Sequence, residues 1–403
     1  MESCYFPKAW KIAVVVPILK SDSDDTKPQN YRPISLLSSL SKPYECVILN
    51  RLDQFCNSRN IVIPEQHGFV PKCSTVTQLL RVTETVQHGF SNNKATGMLF
   101  IDIAKAFDKI WHDGLISKMM RLGISDQLIK IIHLFLDSRS FRVRVENAVS
   151  SPRPILSGVP QGSILSPRIF SLYVNDIPKA SSIHLAMYAD DTAIMSQDIC
   201  NQKIIERLQR YISCLQLWLI NWKIKVNASK SACLLFMKQR CIGNLPAVTI
   251  FDQPIPWVTE YKYLGLILDA KLNFAHHIRN AHQKAIGMSS LLTRLISRKS
   301  KLAIRHKILL YKSILRPIML YASPIWASAA TTHLKRLHVF QNIHLRKMIN
   351  APWFVRNEVL HKVLKIEPIL EFIKKQSLNF FNRIPQIPNA LLQQLPAYDA
   401  SIA

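Results

Sequence analysis

Two apolar runs with the composition of buried β-strands contain or lead into aspartates, whose charge is unfavourable in an apolar environment. Residues 98–101 lead directly into Asp102, and the run 183–195 contains the adjacent pair Asp190 and Asp191. If these three carboxylates converge, two like charges about 4 Å apart repel by roughly 4 kcal/mol at an effective dielectric near 20. Divalent metal together with phosphate is the usual means of neutralising such a cluster, so this pattern predicts a magnesium site.

The Asp190-Asp191 pair falls where a two-residue hairpin turn is expected, between strands at 185–188 and 192–195. An ordinary Asp-Asp turn explains these letters equally well when they are taken alone. The choice between a turn and a functional site therefore depends on the other motifs.

Hydrophobic periodicity outlines the elements around the carboxylates. Helical spacing occurs at 126–137 and 201–221, and 141–145 alternates with period two, which places Arg142 and Arg144 on one strand face. Strand, helix and hairpin recur around the aspartates. This predicts an α+β fold whose antiparallel sheet carries helices on one face, as in a split βαβ unit.

The charge balance predicts a polyanionic partner. Lys and Arg number 52 against 26 acidic residues, a formal charge of +26. Between positions 271 and 357 there are 16 Lys or Arg and no Asp or Glu. A solvated helical face is the alternative, but a stretch of this length without i,i+4 ion pairs favours phosphate contact.

Cysteine usage and hydropathy bear on localisation. The 8 cysteines form no Cys-x-x-Cys pair, which indicates reduced thiols in the nucleus or cytoplasm. The apolar run 12–19 is too short to span a membrane and lacks a cleavage site, so it predicts a core strand. The run 308–330 is interrupted by two basic residues and two prolines and predicts buried helix and turn. We therefore expect neither secretion nor a transmembrane segment.

Three motifs in order carry a family resemblance: FIDIAKAFDKIWH at 100–112, GVPQGSILSP at 158–167 and YADD at 188–191. Together they resemble reverse transcriptases of the non-LTR retrotransposon type, close to the jockey mobile-element polymerases. NYRPISLL at 30–37 and YLGLILD at 263–269 are similar to that family's flanking blocks. The resemblance extends from about Trp10 to about Trp326.

The resemblance implies a right-hand polymerase. Its fingers would comprise about 1–95 and 126–150, its antiparallel palm about 96–125 and 151–268, and its basic helical thumb 269–375. Residues 376–403, richer in Pro, Gln and Asn, are expected to form a frayed C-terminal tail. Because the chain begins inside the expected fingers, it resembles a fragment or a decayed copy.

The implied reaction extends a DNA primer, or nicked target DNA, on an RNA template with dNTPs and two Mg²⁺ ions, a role that Mn²⁺ could fill. Asp102 and Asp190 would bridge both ions, and Asp191 would contribute mainly local charge and geometry. The main-chain carbonyl of Ile103 is an additional candidate ligand. Lys230 resembles the lysine that protonates departing pyrophosphate.

Four further residues are implied to contact the nucleotide. Phe107 would exclude ribonucleotides, with core packing as the alternative; Gln161 and Gly162 would contact the incoming nucleotide, with a tight turn as the alternative. Many relatives carry several basic residues directly after the block that corresponds to QHGF at 66–69. In this chain only Lys72 remains there. This departure predicts weak triphosphate binding. A catalytically inactive, nucleic-acid-binding relic therefore remains the rival hypothesis.

Overall fold

The computed structural model describes residues 5–20, 24–103, 105–238, 245–297 and 299–396. The strands are β1 (Ile12–Leu19), β2 (Tyr31–Leu36), β3 (Ala95–Asp102), β4 (Ser140–Val145), β5 (Ala148–Val149), β6 (Arg153–Pro154), β7 (His184–Tyr188), β8 (Asp191–Asp198), β9 (Ala232–Phe236), β10 (Val248–Ile250), β11 (Gln253–Ile255), β12 (Trp257–Val258), β13 (Glu260–Tyr263) and β14 (Leu266–Asp269). The α-helices are α1 (Ser41–Ser58), α2 (Thr75–Ser91), α3 (His112–Arg121), α4 (Asp126–Leu136), α5 (Ser166–Tyr173), α6 (Asn201–Asn221), α7 (Ala275–Leu291), α8 (Thr293–Ile296), α9 (Ile304–Leu310), α10 (Arg316–Leu320), α11 (Ser323–Trp326), α12 (Thr331–Ile349), α13 (Asn357–Leu364), α14 (Ile369–Phe381) and α15 (Ala390–Gln393).

The central sheet has the strand order β12-β9-β3-β8-β7. Strands β9, β3, β8 and β7 pair antiparallel with their neighbours, and only the short β12 joins its neighbour β9 in parallel. The register places Asp102 directly opposite Asp191, where β3 meets β8. The antiparallel α+β arrangement expected from the sequence is therefore present.

Both faces of this sheet are covered, which corrects the expectation of helices on one face. Leu99 and Ile101 of β3 pack into the core that contains α6, whereas Met98 and Phe100 face a second core that contains α2. Every residue of β3 before Asp102 is buried. A continuously apolar strand is the pattern of a sheet buried on both faces, and the sequence of β3 has that pattern.

A second sheet joins two separated parts of the chain. Its order is β2-β1-β4-β5, with β6 also on β4; β1 pairs antiparallel with β2 and parallel with β4. Arg142 and Arg144 of β4 are exposed, as their alternation predicted. Strands β1 and β2 therefore form one sheet with β4, β5 and β6.

The region after β14 is helical and packs onto the second core. Phe274, Tyr311 and Trp326 are buried there, Trp326 being 0% exposed. Pro324 occupies the first turn of α11, a position that tolerates proline because its N–H has no helical partner. Pro317 lies in α10 directly after the π-helical turn Tyr311–Leu315, in a continuous helical run that begins with α9. The run 308–330 thus forms helix and turn, as expected, and its buried side chains include Leu315, Met319 and Trp326. No helix in the described ranges has the length and apolarity needed to cross a bilayer.

The expected frayed tail is wrong for residues 376–396. Helix α14 continues to Phe381, and Ile384, Ile387 and Leu392 are buried in the second core. The Asn389 side chain donates to the carbonyl of Pro64 at 2.9 Å. These three apolar side chains attach the segment to the core. The prediction missed them because the surrounding sequence is rich in Pro, Gln and Asn. Residues 397–403 lie outside the described residues.

Candidate active site

The hairpin between β7 and β8 carries the paired carboxylates. Tyr188 pairs with Asp191, so the two turn residues are Ala189 and Asp190, one position earlier than the expected Asp190-Asp191 turn. Ala189 has φ +57°, a conformation unusual for a residue with a Cβ. The first turn position of a tight hairpin requires such a φ. Asp190 consequently lies at the tip, and Asp191 begins β8 opposite Asp102.

The three carboxylates influence one another electrostatically. Burial, followed by the charges of Asp190 and Asp102, raises the pKa of Asp191 to about 6. Burial and the charge of Asp102 also raise the pKa of Asp190, while the positive charge of Arg32 opposes that rise. Asp190 and Asp191 are solvent-accessible, yet protein surrounds them on most sides, so their charged forms lose hydration. The strand register therefore places Asp102 opposite Asp191, with Asp190 in the adjoining turn.

The donor chemistry of this cluster fits a hard divalent cation. All its side-chain donors are carboxylate oxygens, and within the described residues none of the three is ion-paired with Lys, Arg or His. No three His, Cys, Asp or Glu side chains in the described part of the chain lie close enough to hold a metal ion. Asp102, Asp190, Asp191 and the Ile103 carbonyl thus remain a proposed ligand set.

The raised pKa of Asp191 gives a pH prediction. As pH falls through about 6, Asp191 takes up a proton that competes with a cation for the same oxygens. We expect the apparent affinity for Mn²⁺, measured by titration calorimetry, to be level above about pH 7 and to fall by up to about tenfold per pH unit below about pH 6. Asp191→Asn should flatten this dependence. An affinity that is independent of pH over this range would contradict the assignment.

A segment ahead of α2 holds the β7–β8 turn in place. Gln66, which is 1% exposed, accepts hydrogen bonds through Oε1 from the main-chain N–H of Gly68 (2.7 Å) and of Ala189 (2.9 Å). The Gly68 backbone lies so close to the turn that a Cβ at this position would be 2.3 Å from the Ala189 nitrogen. The QHGF motif therefore braces the left-handed Ala189, a role that the sequence interpretation missed although it had noticed the motif.

Helix α2 covers the open edge of β7. The Gln78 amide donates to the Met187 carbonyl at 2.9 Å, and the Arg81 guanidinium donates to the Leu185 carbonyl at 2.6 Å. The main-chain N–H of His67 also donates to Met187, at 2.9 Å. An edge strand normally presents unpaired carbonyls, and here they are satisfied. The hairpin is consequently fixed along its whole outer edge.

The Asp102 end of β3 is anchored by the segment before β9. The Asn227 N–H donates to the Asp102 carbonyl at 2.9 Å, and Ile103 forms an isolated antiparallel bridge with Val226. Lys230 is exposed on the short 3-10 helix Ala228–Lys230 beside this strand end. The fold thus places the predicted Lys230 near Asp102, which leaves its proton-donating role and the Ile103 ligand as proposals.

Phe107 lies in an aromatic cluster. Its ring stacks on Phe170 at a centroid distance of 4.9 Å and meets Phe69 edge-on at 6.0 Å. Phe107 remains partly exposed. Its packing in this cluster is therefore compatible with the proposed exclusion of ribonucleotides. Lys72 is exposed and has φ +65° in the loop before α2. The triphosphate contact expected of Lys72 remains a proposal.

The glycine-containing loop packs against protein backbone. The Gln161 amide donates to a carboxylate oxygen of Asp108 at 2.8 Å, and the Gln161 carbonyl accepts from the N–H of Ser35 at 2.8 Å. Gly162 has φ +135°, and a Cβ there would lie 2.4 Å from the Ser35 carbonyl oxygen. The tight-turn alternative is therefore present in the structure. Contact of Gln161 and Gly162 with a nucleotide remains a proposal.

Glu45 of α1 is a second residue that the sequence did not single out. It is 1% exposed, and its carboxylate accepts from the Ser163 hydroxyl at 2.6 Å and from the Ile164 N–H at 2.9 Å. A buried carboxylate is tolerated only when it is hydrogen-bonded in this way. Glu45 ties the glycine loop to α1, and a lone acid in a helix gives no local signal of that role.

Comparison with known proteins agrees with this geometry. The family model for reverse transcriptase (RNA-dependent DNA polymerase) matches residues 18–268. The chain is 35% identical to the probable RNA-directed DNA polymerase from transposon BS of Drosophila melanogaster, over 97% of this chain and 44% of that protein. It is also 35% identical to the RNA-directed DNA polymerase from mobile element jockey of the same organism, over 97% and 43%. The chain spans less than half the length of these curated relatives.

The structure of apo telomerase from Candida tropicalis is 13% identical, covers 98% of this chain and 70% of that one, and superposes with a TM-score of 0.45. The antiparallel central sheet of this chain carries Asp102 and Asp191 opposite each other at adjoining strand ends. The chain belongs to the reverse transcriptase family. The resemblance to jockey-like polymerases that the motifs indicated is confirmed by the mobile-element relatives.

Proposed function

We propose that the chain is the RNA-directed DNA polymerase of a non-LTR retrotransposon, extending a DNA 3′ end on an RNA template. The observation that carries this proposal is the register of the central sheet, which sets Asp102 of β3 opposite Asp191 of β8 with Asp190 at the adjoining turn. The strand ends limit the freedom of these side chains before any ligand arrives.

In the proposed reaction the primer 3′ oxygen attacks the α-phosphorus of a dNTP. A phosphorus–oxygen bond forms to the primer as the bond to pyrophosphate breaks. Mg²⁺ held by Asp102, Asp190 and Asp191 would stabilise the charge on the attacking and leaving oxygens, and Mn²⁺ has the same ligand preference. The Lys230 ammonium, exposed beside β3, would donate a proton to the departing pyrophosphate.

Binding of the triphosphate is proposed to depend on Arg32 more than on Lys72. Arg32 is exposed on β2, and its charge acts on Asp190. Arg also presents a planar set of donors that matches phosphate oxygens. This residue lies within the NYRPISLL block, so the sequence contained the signal. Phe107, Gln161 and Gly162 are proposed to bound the sugar and base side of the same site.

The proposed partners are an RNA template, a DNA primer or nicked target DNA, and dNTPs, with the nucleus or cytoplasm as the compartment. The proposed division assigns fingers to about 1–95 and 126–150, palm to about 96–125 and 151–268, and a basic thumb to 269–375. The acid-free stretch 271–357 falls within that thumb, which supports contact with a duplex backbone.

Primer extension tests this proposal directly. The purified chain is supplied with an RNA template, an annealed DNA primer, dNTPs and Mg²⁺, and in a parallel reaction Mn²⁺ replaces Mg²⁺. We expect template-dependent primer elongation that chelator abolishes. Retained binding of the template–primer without any incorporation under either metal would favour the rival, an inactive nucleic-acid-binding relic.

A further inference from the structure

Two adjacent aromatic side chains in the helical C-terminal region point into solvent. Trp353 is 88% exposed and Phe354 is 69% exposed, in the loop between α12 and α13. Their rings meet edge-on with centroids 6.0 Å apart. Trp326, in the same region, is completely buried. Burying a large aromatic is strongly favourable, so two exposed neighbouring rings indicate a surface that binds something.

The loop that carries these rings is well organised. The Arg346 guanidinium donates to the carbonyls of Pro352 (2.5 Å) and Val355 (2.8 Å) and to the Asn357 side chain (3.0 Å). The Val355 N–H closes a turn on the Pro352 carbonyl at 3.2 Å. The aromatic rings are thus presented by a loop that is already ordered, which lowers the entropic cost of binding.

The charge around the rings selects the class of partner. Lys347 and Arg356 are exposed on either side of the loop, and no Asp or Glu occurs from position 271 to 357. Aromatic rings interleaved with basic side chains form the standard surface for unpaired nucleotides, because bases stack on the rings while phosphates meet the cations. A lipid surface would be expected to meet a broader apolar face than two rings.

We propose that Trp353 and Phe354 form a stacking platform for unpaired bases of the RNA or DNA strand that leaves the template–primer duplex. This inference rests on the proposed polymerase function and extends it, since it assigns a single-strand subsite outside the site of chemistry. The platform contributes affinity that does not depend on sequence, because every base has a face that can stack.

The test compares one duplex with and without a single-stranded overhang. The protein is titrated with a fluorescent blunt duplex and with the same duplex carrying either an RNA or a DNA overhang. For Trp353→Ala/Phe354→Ala we expect roughly tenfold weaker binding of the overhang duplex and a change within about twofold for the blunt one. Trp353→Phe should retain most of the preference, because it keeps a ring. The RNA and DNA arms identify the strand.

The matched control is Leu156→Ala/Ile199→Ala, which truncates two side chains that are also strongly exposed but lie far from this loop in the chain. It should leave both affinities unchanged. The loss in the aromatic variant should persist as salt rises, because stacking releases no counterions, unlike loss of a phosphate contact.

In a separate titration the same variants are mixed with vesicles containing phosphatidylserine. Three results would overturn the platform: equal losses of affinity for the blunt and overhang duplexes, no loss of affinity for either, or a loss of affinity for the vesicles alone. Failure of the polymerase proposal gives a different result. An Asp190→Asn protein should keep the overhang preference without elongating a primer, and a wild-type chain that never elongates a primer could still show that preference.

Discussion

Asp190→Asn is expected to lower the rate of RNA-templated primer extension by about a thousandfold or more. Neutralising one carboxylate removes a ligand that helps metal stabilise transition-state charge, a contribution of several kcal/mol, and about 1.4 kcal/mol corresponds to a factor of ten in rate. Asp190 lies at the tip of the β7–β8 turn, between Ala189 and the first residue of β8. Single-turnover extension with saturating dNTP measures this loss.

Asp198→Asn is the matched control, since Asp198 ends the same strand and is ion-paired with Arg207 at 2.8 Å. Removing the Asp198 charge should leave the extension rate within about twofold of the wild-type rate. Template–primer affinity of Asp190→Asn should stay close to wild type, because the acid-free helical region is unchanged. Equal extension rates for wild type and Asp190→Asn would remove the catalytic role assigned to this carboxylate.

Gly68→Ala is expected to reduce the turnover number by about a hundredfold while the protein remains folded. The added methyl would lie 2.3 Å from the Ala189 backbone nitrogen and 2.9 Å from the Gln66 side-chain oxygen, so the turn must move. A displacement of about 1 Å in a catalytic group can lower the rate by about two orders of magnitude. The φ of Gly68 lies outside the left-handed region, so the effect arises from contact and not from backbone strain.

Gly287→Ala supplies the control for this experiment. It adds the same methyl within α7, where nothing lies within 4 Å, and should leave activity unchanged while slightly raising the melting temperature. Comparing the KM for dNTP with the turnover number locates the defect: a loss confined to turnover indicates a displaced carboxylate. Full activity of Gly68→Ala would mean that the turn does not depend on this contact.

Local patterns in the sequence predicted the elements well where a single periodicity dominated. Helix α6 begins and ends where the spacing of Ile204, Leu208 and Ile212 indicated, and β4 alternates as expected. The three aspartates could be grouped because motif order implied it. The hairpin turn was misplaced by one residue, since Ala189-Asp190 and Asp190-Asp191 can each form a two-residue turn and only strand pairing distinguishes them.

The sequence by itself determined the family, because three motifs in order, at 100–112, 158–167 and 188–191, resemble those of reverse transcriptases, whereas the carboxylates and the positive charge alone left an ordinary turn possible. Only the tertiary structure decided how the site is held. Gln66 reaches Ala189, which is 123 residues away, and Glu45 reaches Ser163 across 118 residues. Contacts at such separations depend on how the sheets and helices pack, and no local periodicity records them.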